Sequence, residues 1–297
     1  MPNIYVVSLL MGSLTLNIQE VTALLIVGER INTSRKVKGE PVIENAVINR
    51  DAEFIKDMAR KQFEAGATYI DINCGTLTTG EPEALEWLTR VVMEAVDAPI
   101  SFDTPNPVAL DRALKAYDPA KGQPMINSIT AESERYSNVL PLVLEYKAKV
   151  IALAMDDSGI QQDPDKRHAV AKTLIENLTS AGVPLHDIYV DPLTFPIGTG
   201  SDVALAMFDI IRKVKAEYPG VNTIAGLSNI SHGMPARKIL NQAVTVLAMG
   251  CGLDAGIIDP NDRYLMALIY ATEALLGKDE FCMNYITKSR EGLFEGL

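Results

Sequence analysis

Carboxylate and amide side chains recur along this chain of 297 residues, and most of them stand where an apolar run ends. Examples are Asp71, Asp103, Asn127 and Asp191. A carboxylate accepts hydrogen bonds, whereas a primary amide both donates and accepts them. Gathered around one pocket, such groups could hold a planar polar heterocycle by an edge that offers N–H donors beside a carbonyl acceptor. They can act together only if the fold brings the ends of these runs to one place.

Eight apolar runs repeat along the chain, and stretches with helical periodicity lie between them. In residues 83–96, for example, apolar side chains recur along one side of a helix. Strands that alternate with helices are typical of a parallel α/β fold. The predicted strands cover residues 24–30, 68–74, 99–104, 123–128, 150–156, 188–191, 223–229 and 253–259.

Eight such units predict an α/β protein with a (β/α)8 barrel, a fold that typically takes about 250 residues. We expect one barrel over residues 24–297 and a short N-terminal extension over residues 1–23, where no basic segment typical of a secretion signal occurs. In such barrels the active site lies at the carboxyl ends of the strands. The polar residues that end the apolar runs are therefore predicted to share one site.

A structural role competes with this interpretation, because Asp, Asn, Ser and Thr after a strand also cap the next helix. Asn106 and Thr130 have the sequence context of caps. Asp103, Asn127 and Asp191 instead stand at the strand ends themselves, a few residues ahead of any helix. We therefore favour these three as ligands of a heterocycle, and a pterin has the required edge.

The composition excludes several kinds of partner. The chain has 38 Asp and Glu against 27 Lys and Arg, a formal net charge of −11, which argues against nucleic acid binding. Cys74, Cys251 and Cys282 lie far apart and have no metal-ligand spacing, so no metal site is predicted. The apolar stretch at residues 4–10 is too short to span a bilayer. We expect a cytoplasmic protein without a membrane anchor.

Several ordered motifs resemble those of the pterin-binding methyltransferases that move a methyl group between methyltetrahydrofolate and the cobalt of a corrinoid protein. The resemblance runs from about Leu24 to the C-terminus and implies the same barrel and the same activity. The motifs are Ile26-Val27-Gly28-Glu29-Arg30-Ile31-Asn32, Asp71-Ile72-Asn73, Met125-Ile126-Asn127-Ser128, Ile188-Tyr189-Val190-Asp191-Pro192, Gly226-Leu227-Ser228-Asn229-Ile230-Ser231 and Met249-Gly250-Cys251-Gly252-Leu253-Asp254-Ala255.

The resemblance also assigns roles to particular residues. Asp103, Asn127 and Asp191 would hold the pterin ring, and Gly226 and Ser228 would shape the floor beside it. Asn229 would approach the ring nitrogen that carries the methyl group, and Arg237 matches a basic residue further along the same loop. The chain departs from some relatives at His232, where they have an amide. Further candidates at the strand ends are Glu29, Asp71 and Asn73.

Methyl transfer from a tertiary amine needs a stabilised leaving nitrogen, and no acid or histidine is obviously placed to protonate it. The amide of Asn229 can accept a hydrogen bond from a protonated nitrogen or donate one to the free nitrogen. We therefore expect Asn229 to be the catalytic residue, with a turn-capping role as the alternative. Arg237 is predicted to hold the glutamate tail of folate or an acidic partner, unless it forms a plain surface salt bridge.

The chain lacks a P-loop and the Asp-x-His-x-x-Gly corrinoid-binding motif. The corrinoid, a cobalamin, would therefore arrive on a partner protein, and 5-methyltetrahydrofolate or tetrahydrofolate would be the folate substrate. This arrangement requires an open barrel mouth. The resemblance also implies a homodimer.

Two other functions remain open. Dihydropteroate synthase uses the same barrel and a similar pterin pocket, but it generally carries a basic element after the seventh strand, where this chain reads Ser228-Asn229-Ile230-Ser231. A barrel could also bind folate, or dock a corrinoid protein, without transferring a methyl group. The direction of transfer is open too. It could serve acetyl-CoA synthesis or the demethylation of methoxyaromatics, betaines or methylamines.

Overall fold

Eight parallel strands form a closed barrel in the computed structural model, which describes residues 23–297. Each strand pairs with the next along the chain, and β1 pairs with β8 to close the sheet. The predicted (β/α)8 barrel is confirmed. The predicted extension over residues 1–23 lies, apart from Ala23, outside the described residues. The strands are β1 (Leu25–Asn32), β2 (Tyr69–Asn73), β3 (Ile100–Asp103), β4 (Met125–Ala131), β5 (Lys149–Asp156), β6 (Ile188–Asp191), β7 (Asn222–Gly226) and β8 (Ala255–Ile258).

Helices follow every strand and cover the outside of the barrel. The periodic segment at residues 83–96 lies in a helix of Glu81–Ala95, whose apolar side packs on the sheet. No helix in residues 23–297 is long and apolar enough to cross a membrane. The helices are α1 (Val42–Ile48), α2 (Ala52–Glu64), α3 (Glu81–Ala95), α4 (Pro107–Ala116), α5 (Ser133–Glu145), α6 (Pro164–Ser180), α7 (Val203–Glu217), α8 (Arg237–Gly250), α9 (Arg263–Leu275) and α10 (Met283–Arg290).

Of the two predicted helix caps, one is confirmed and one is wrong. The Asn106 side chain accepts hydrogen bonds from the backbone N–H groups of Val108 and Ala109 at the start of α4. Thr130 instead belongs to β4, which continues to Ala131, and its hydroxyl donates to the Glu132 carboxylate over 2.9 Å. Because α5 begins only after Glu132, Thr130 is too far from its first turn to cap it.

Two apolar cores lie on opposite faces of the sheet. The larger one fills the space between the strands and the helices. The smaller one, which we call the inner core, fills the barrel interior because side chains alternate between the two faces of a strand. The inner core consists of Val27, Tyr69, Met125, Ile151, Tyr189, Ile224 and Ala255.

The seventh strand is shorter than predicted. The sequence pattern extended it to Asn229, whereas β7 ends at Gly226 and a 3-10 turn covers Leu227–Ser231. The apolar pattern misleads here because Leu227 and Ile230 are buried from within the turn. The turn therefore holds Ser228 and Asn229 directly beyond the carboxyl end of β7.

Candidate active site at the barrel mouth

A set of polar side chains faces the barrel interior directly above the inner core. Asp71, Asn127 and Asp191 each follow an inner-core residue by two positions, so they point to the same face of their strands. Asp103 pairs with Asn127 in the register of β3 and β4 and lies on that face as well. We call Asp71, Asp103, Asn127 and Asp191 the acid-amide layer.

Asp71 is the deepest member of this layer, with a relative exposure of 2%. Its Oδ1 accepts a hydrogen bond from the Ser101 hydroxyl over 2.6 Å and a long one from the Asn127 amide over 3.4 Å. Burial, with the nearby carboxyl of Asp103, raises the pKa of Asp71 well above its ordinary value. Because the Asn127 N–H group points to Asp71, its carbonyl oxygen is left to accept a hydrogen bond from a ligand.

Asp103 lies at the end of β3 near a half-buried arginine that the sequence did not single out. Burial raises the pKa of Asp103, and a hydrogen bond from Asn73 and the charge of Arg135 oppose that rise. Arg135, on α5, donates to the carbonyl oxygens of Ser128 over 3.0 Å and Thr104 over 2.8 Å. Arg135 thereby links the backbone just after β3 to the backbone just after Asn127. No sequence signal could identify this role, since the partners of Arg135 are backbone groups.

Asp191 is buried at the end of β6 with one oxygen occupied. Its Oδ1 accepts from the Leu193 N–H group over 2.8 Å. Burial raises the pKa of Asp191 to about 7, while the Leu193 N–H group and the Arg167 charge oppose the rise. Arg167 is itself 1% exposed and stacks on the Phe195 ring at 4.8 Å. Sequence reasoning also missed Arg167, because nothing in a helix sequence distinguishes an inward arginine from a surface one.

Asn229 stands at the mouth on the 3-10 turn, where its side chain is exposed. In the described part of the chain its amide makes no hydrogen bond, and only its backbone oxygen accepts, from His232 over 3.1 Å. A Cβ atom at Gly226 would lie 3.1 Å from the Asn229 Nδ2 atom, so the glycine leaves room for the amide. The Asn229 side chain therefore does not cap the turn.

The other predicted residues of this loop hold the turn in place. The Ser228 hydroxyl donates to Glu29 Oε2 over 2.9 Å, and Arg35 pairs with the other Glu29 oxygen over 2.8 Å. Arg237 donates from Nε to the Ser231 hydroxyl over 3.0 Å and from Nη2 to the Ser228 carbonyl over 2.9 Å. Within residues 23–297 Arg237 has no carboxylate partner, so it is not a plain surface salt bridge there.

The predicted site residues form two groups. Asp71, Asp103, Asn127 and Asp191 form the acid-amide layer, and Asn73 lies beside Asp103 with its Oδ1 accepting from Gly75 over 2.9 Å. Glu29, Ser228, His232 and Arg237 instead line a cavity of about 540 Å³ between the ends of β1, β7 and β8. Gly226 ends β7, Asn229 lies on the turn that follows, and neither of them lines this cavity.

The described residues offer no metal centre. No group of three or more His, Cys, Asp or Glu in residues 23–297 is arranged to hold a metal ion. Burial raises the pKa of Cys74 to about 12, so this thiol stays protonated and is not a nucleophile. His168 and His186 lie within 4 Å of Glu217 and Asp187, respectively, outside the site.

Relatives of known type match most of the chain. A family model described as pterin binding enzyme matches residues 29–259. Methylcorrinoid:tetrahydrofolate methyltransferase of Eubacterium limosum is 35% identical over 272 residues, which are 91% of this chain and 97% of that protein. Methionine synthase of Mycobacterium leprae is 31% identical over 248 residues, which are 80% of this chain and 20% of that protein.

A solved structure has the same fold. Dihydropteroate synthase of Thermus thermophilus has a TM-score of 0.64 and 20% identity, and the match covers 86% of this chain and 95% of that one. At this identity the likeness concerns the fold alone. The sequence matches go further, because the family model spans both groups of site residues. The protein therefore belongs to the pterin-binding enzyme family, in the group of tetrahydrofolate- and corrinoid-dependent methyltransferases.

Proposed function

We propose that this protein transfers a methyl group between 5-methyltetrahydrofolate and the cobalt of a corrinoid carried by a partner protein. The observation that carries the proposal is the position of Asn229. Its exposed amide has no hydrogen-bond partner within residues 23–297, and it lies on the turn that directly follows the carboxyl end of β7. The activity for which the Eubacterium limosum relative is named supports the same chemistry.

The acid-amide layer would recognise the pterin ring. The free oxygen of Asp191 and the Asp103 carboxylate accept hydrogen bonds from the ring N–H groups, and the Asn127 carbonyl oxygen adds a third acceptor. Because these groups are buried or half-buried, each hydrogen bond to the ring is stronger than it would be in water. Ser101 would position the layer by its hydrogen bond to Asp71, and Arg135 by its bonds to the backbone beside Asn127 and Asp103.

Asn229 would stabilise the nitrogen that loses or gains the methyl group. When the methyl group passes to cobalt, the electron pair of the broken C–N bond stays on the nitrogen, and cobalt supplies the pair of the new bond. A proton on that nitrogen makes it a better leaving group. The Asn229 oxygen accepts a hydrogen bond from the protonated nitrogen, and the amide N–H group can donate to the free one.

The direction of transfer depends on the partner, since the same interactions stabilise the transition state both ways. The name of the Eubacterium limosum protein supports tetrahydrofolate as the acceptor. We propose this direction, with a methylated corrinoid protein as donor. The predicted homodimer and cytoplasmic location stay predictions.

A single-turnover assay tests the proposal. The protein is mixed with tetrahydrofolate and methylcobalamin, and separately with methyltetrahydrofolate and Co(I) cobalamin, and the corrin absorbance is followed. Asn229→Ala should slow transfer by about 10²- to 10³-fold, about 2.7 to 4 kcal/mol, as for other lost preorganised donors. Asn177→Ala, an exposed position on α6, is the matched control.

The outcomes separate the alternatives. Transfer at an unchanged rate in Asn229→Ala would remove this residue from the mechanism. Folate binding without transfer, even with corrinoid proteins as donors, would favour a barrel that only binds folate. Faster transfer to tetrahydrofolate than from methyltetrahydrofolate is the result expected for the proposed direction.

A further inference from the structure

Glu81, the first residue of α3, is a buried carboxylate outside the acid-amide layer, with a relative exposure of 9%. Its Oε1 accepts a hydrogen bond from the Thr104 hydroxyl over 2.5 Å, and its Oε2 accepts one from the Asn106 amide over 3.0 Å. Its backbone carbonyl accepts from the Cys74 thiol over 3.7 Å, which fixes the start of α3 to the end of β2. Because burying a carboxylate among neutral partners costs stability, the position of Glu81 points to a role in the neighbouring site.

Thr104 connects Glu81 to the acid-amide layer. It directly follows Asp103 at the end of β3 and is fully buried. Its N–H group donates to the backbone carbonyl of Asn127 over 3.2 Å, and its own carbonyl accepts from Arg135 Nη2 over 2.8 Å. Since its hydroxyl is bonded to Glu81, every polar group of Thr104 has a partner. The residue therefore joins two members of the layer to two helices.

Glu81 and Arg135 hold Thr104 from different helices, α3 and α5, and carry opposite charges. We call Glu81, Thr104 and Arg135 the Thr104 network. Arg135 also donates to the Ser128 carbonyl from Nε over 3.0 Å and from Nη2 over 2.6 Å. The charge of Arg135 lowers the pKa of Asp103, whereas the charge of Glu81 raises it. The network thus fixes the backbone beside Asp103 while its two charges act on that carboxyl group in opposite directions.

The Asp103 carboxylate depends on this backbone because few donors hold the carboxylate itself. The hydrogen bond that lowers its pKa comes from the Asn73 side chain. A hydrogen bond to a ring N–H group weakens steeply when its distance or angle departs from the optimum. A shift of the Thr104 backbone would therefore move Asp103 away from the geometry that a bound ring requires.

We propose that Glu81 is a positioning residue for folate binding, which acts through Thr104 to hold the Asp103 carboxylate against the N–H groups of the pterin ring. This inference rests on the proposed function, since it requires a pterin in the acid-amide layer. Glu81 itself binds no ligand, because both of its oxygens are occupied. The competing explanation is purely structural, with Glu81 joining α3 to α4 through Asn106, the cap of α4.

Titration calorimetry of the full chain with tetrahydrofolate tests the proposal without relying on activity. Glu81→Ala and Thr104→Val should each weaken binding about tenfold, the lower range for one hydrogen bond to a charged group. Glu81→Gln should bind nearly as tightly as the parent, because its amide can accept from Asn106 and donate to Thr104. If Glu81→Ala failed to fold, Thr104→Val, which removes only the hydroxyl group, would carry the same test.

A double-mutant cycle shows whether the effect passes through Asp103. In the background of Asp103→Ala, Glu81→Ala should cause no further loss of folate affinity, because the carboxylate that it positions is absent. If the two losses multiplied instead, Glu81 would act on folate binding independently of Asp103, and the inference would be overturned.

Glu273→Ala is the matched control. Glu273, on α9, is another buried carboxylate, and its Oε1 accepts from the Leu24 N–H group over 2.7 Å at the amino end of the barrel. It should lower stability in urea unfolding and keep the folate affinity of the parent. Unchanged affinity in Glu81→Ala and Thr104→Val, or an equal loss in Glu273→Ala, would overturn the inference and leave the proposed function intact. If the parent protein bound no folate, the proposed function would fail as well.

Discussion

The inner core and the acid-amide layer are built on the same strands, two residues apart, and yet they differ in chemistry. In the inner core the Tyr69 hydroxyl donates to the Gln123 carbonyl over 2.8 Å, and Lys149 donates to the Tyr189 hydroxyl over 3.3 Å. These polar groups are satisfied by the protein itself. The carboxyl groups of the layer above are held by few donors and keep oxygens free.

Burial therefore has different consequences for the tyrosine of the inner core and for the carboxyl groups of the acid-amide layer. It raises the pKa of Tyr69, which stays a neutral donor at every physiological pH and does not destabilise the fold there. It also raises the pKa of Asp71 and Asp191, which at neutral pH makes their ionised forms unfavourable. The inner core thus stabilises the fold. The acid-amide layer instead holds carboxyl groups to which a ligand would donate more hydrogen bonds than the protein does.

The sharpest test of this difference compares two neighbours on β4. Met125→Ala should lower the free energy of unfolding by about 2 to 5 kcal/mol, because Met125 is fully buried in the inner core. Asn127→Ala should change stability by less than about 1 kcal/mol but weaken folate binding by about 1 to 3 kcal/mol. Urea unfolding and titration calorimetry measure the two quantities. If Met125→Ala were as stable as the parent, or if Asn127→Ala bound folate normally, the inner core and the acid-amide layer would not have these separate roles.

A second prediction concerns the cost of ionising Asp191. Its pKa is about 7 in the folded state and near 3.8 in the unfolded chain, so between these values the folded protein holds a proton that the unfolded chain has released. Stability therefore falls as the pH rises from about 4 to 7. Asp191→Asn removes this loss of stability with rising pH, and its amide oxygen can still accept the hydrogen bond from the Leu193 N–H group. At pH 8 the variant should be more stable than the parent by about 1 to 4 kcal/mol.

Urea unfolding at pH 4.5 and pH 8 measures that difference. The gain should be present at pH 8 and nearly absent at the lower pH. Equal stability of the two proteins at both pH values would show that the Asp191 carboxylate is fully stabilised inside the fold, as the polar groups of the inner core are.

A third and smaller effect links Asp191 to the ligand. Ring N–H groups bind the ionised carboxylate, so below pH 7 a proton must first leave Asp191. The dissociation constant of folate should rise about tenfold, or about 1.4 kcal/mol, for each pH unit below 7. Titrations between pH 5.5 and 8.5 check this slope, and Asp191→Asn should bind weakly at every pH. A flat profile in the parent protein would mean that the neutral acid binds the ring equally well.

The barrel and much of the candidate site could be predicted from the chain itself. The order of apolar runs gave the strand count, since alternating strand and helix patterns leave few topologies open. The positions of Asp103, Asn127 and Asp191 at strand ends placed them in one layer, because the carboxyl ends of parallel strands meet at one edge. The prediction for Thr130 failed because β4 runs three residues beyond its apolar pattern.

The sequence by itself determined the barrel, the polar layer at its mouth and the family to which the chain belongs, because these follow from local patterns and ordered motifs. Only the tertiary structure decided that Arg135 and Arg167 support the layer, that Asn229 lies on a turn and keeps a free amide, and that the cations near Arg237 surround one cavity. Contacts between distant segments and the burial of charge arise only when the barrel closes, so no local pattern encodes them.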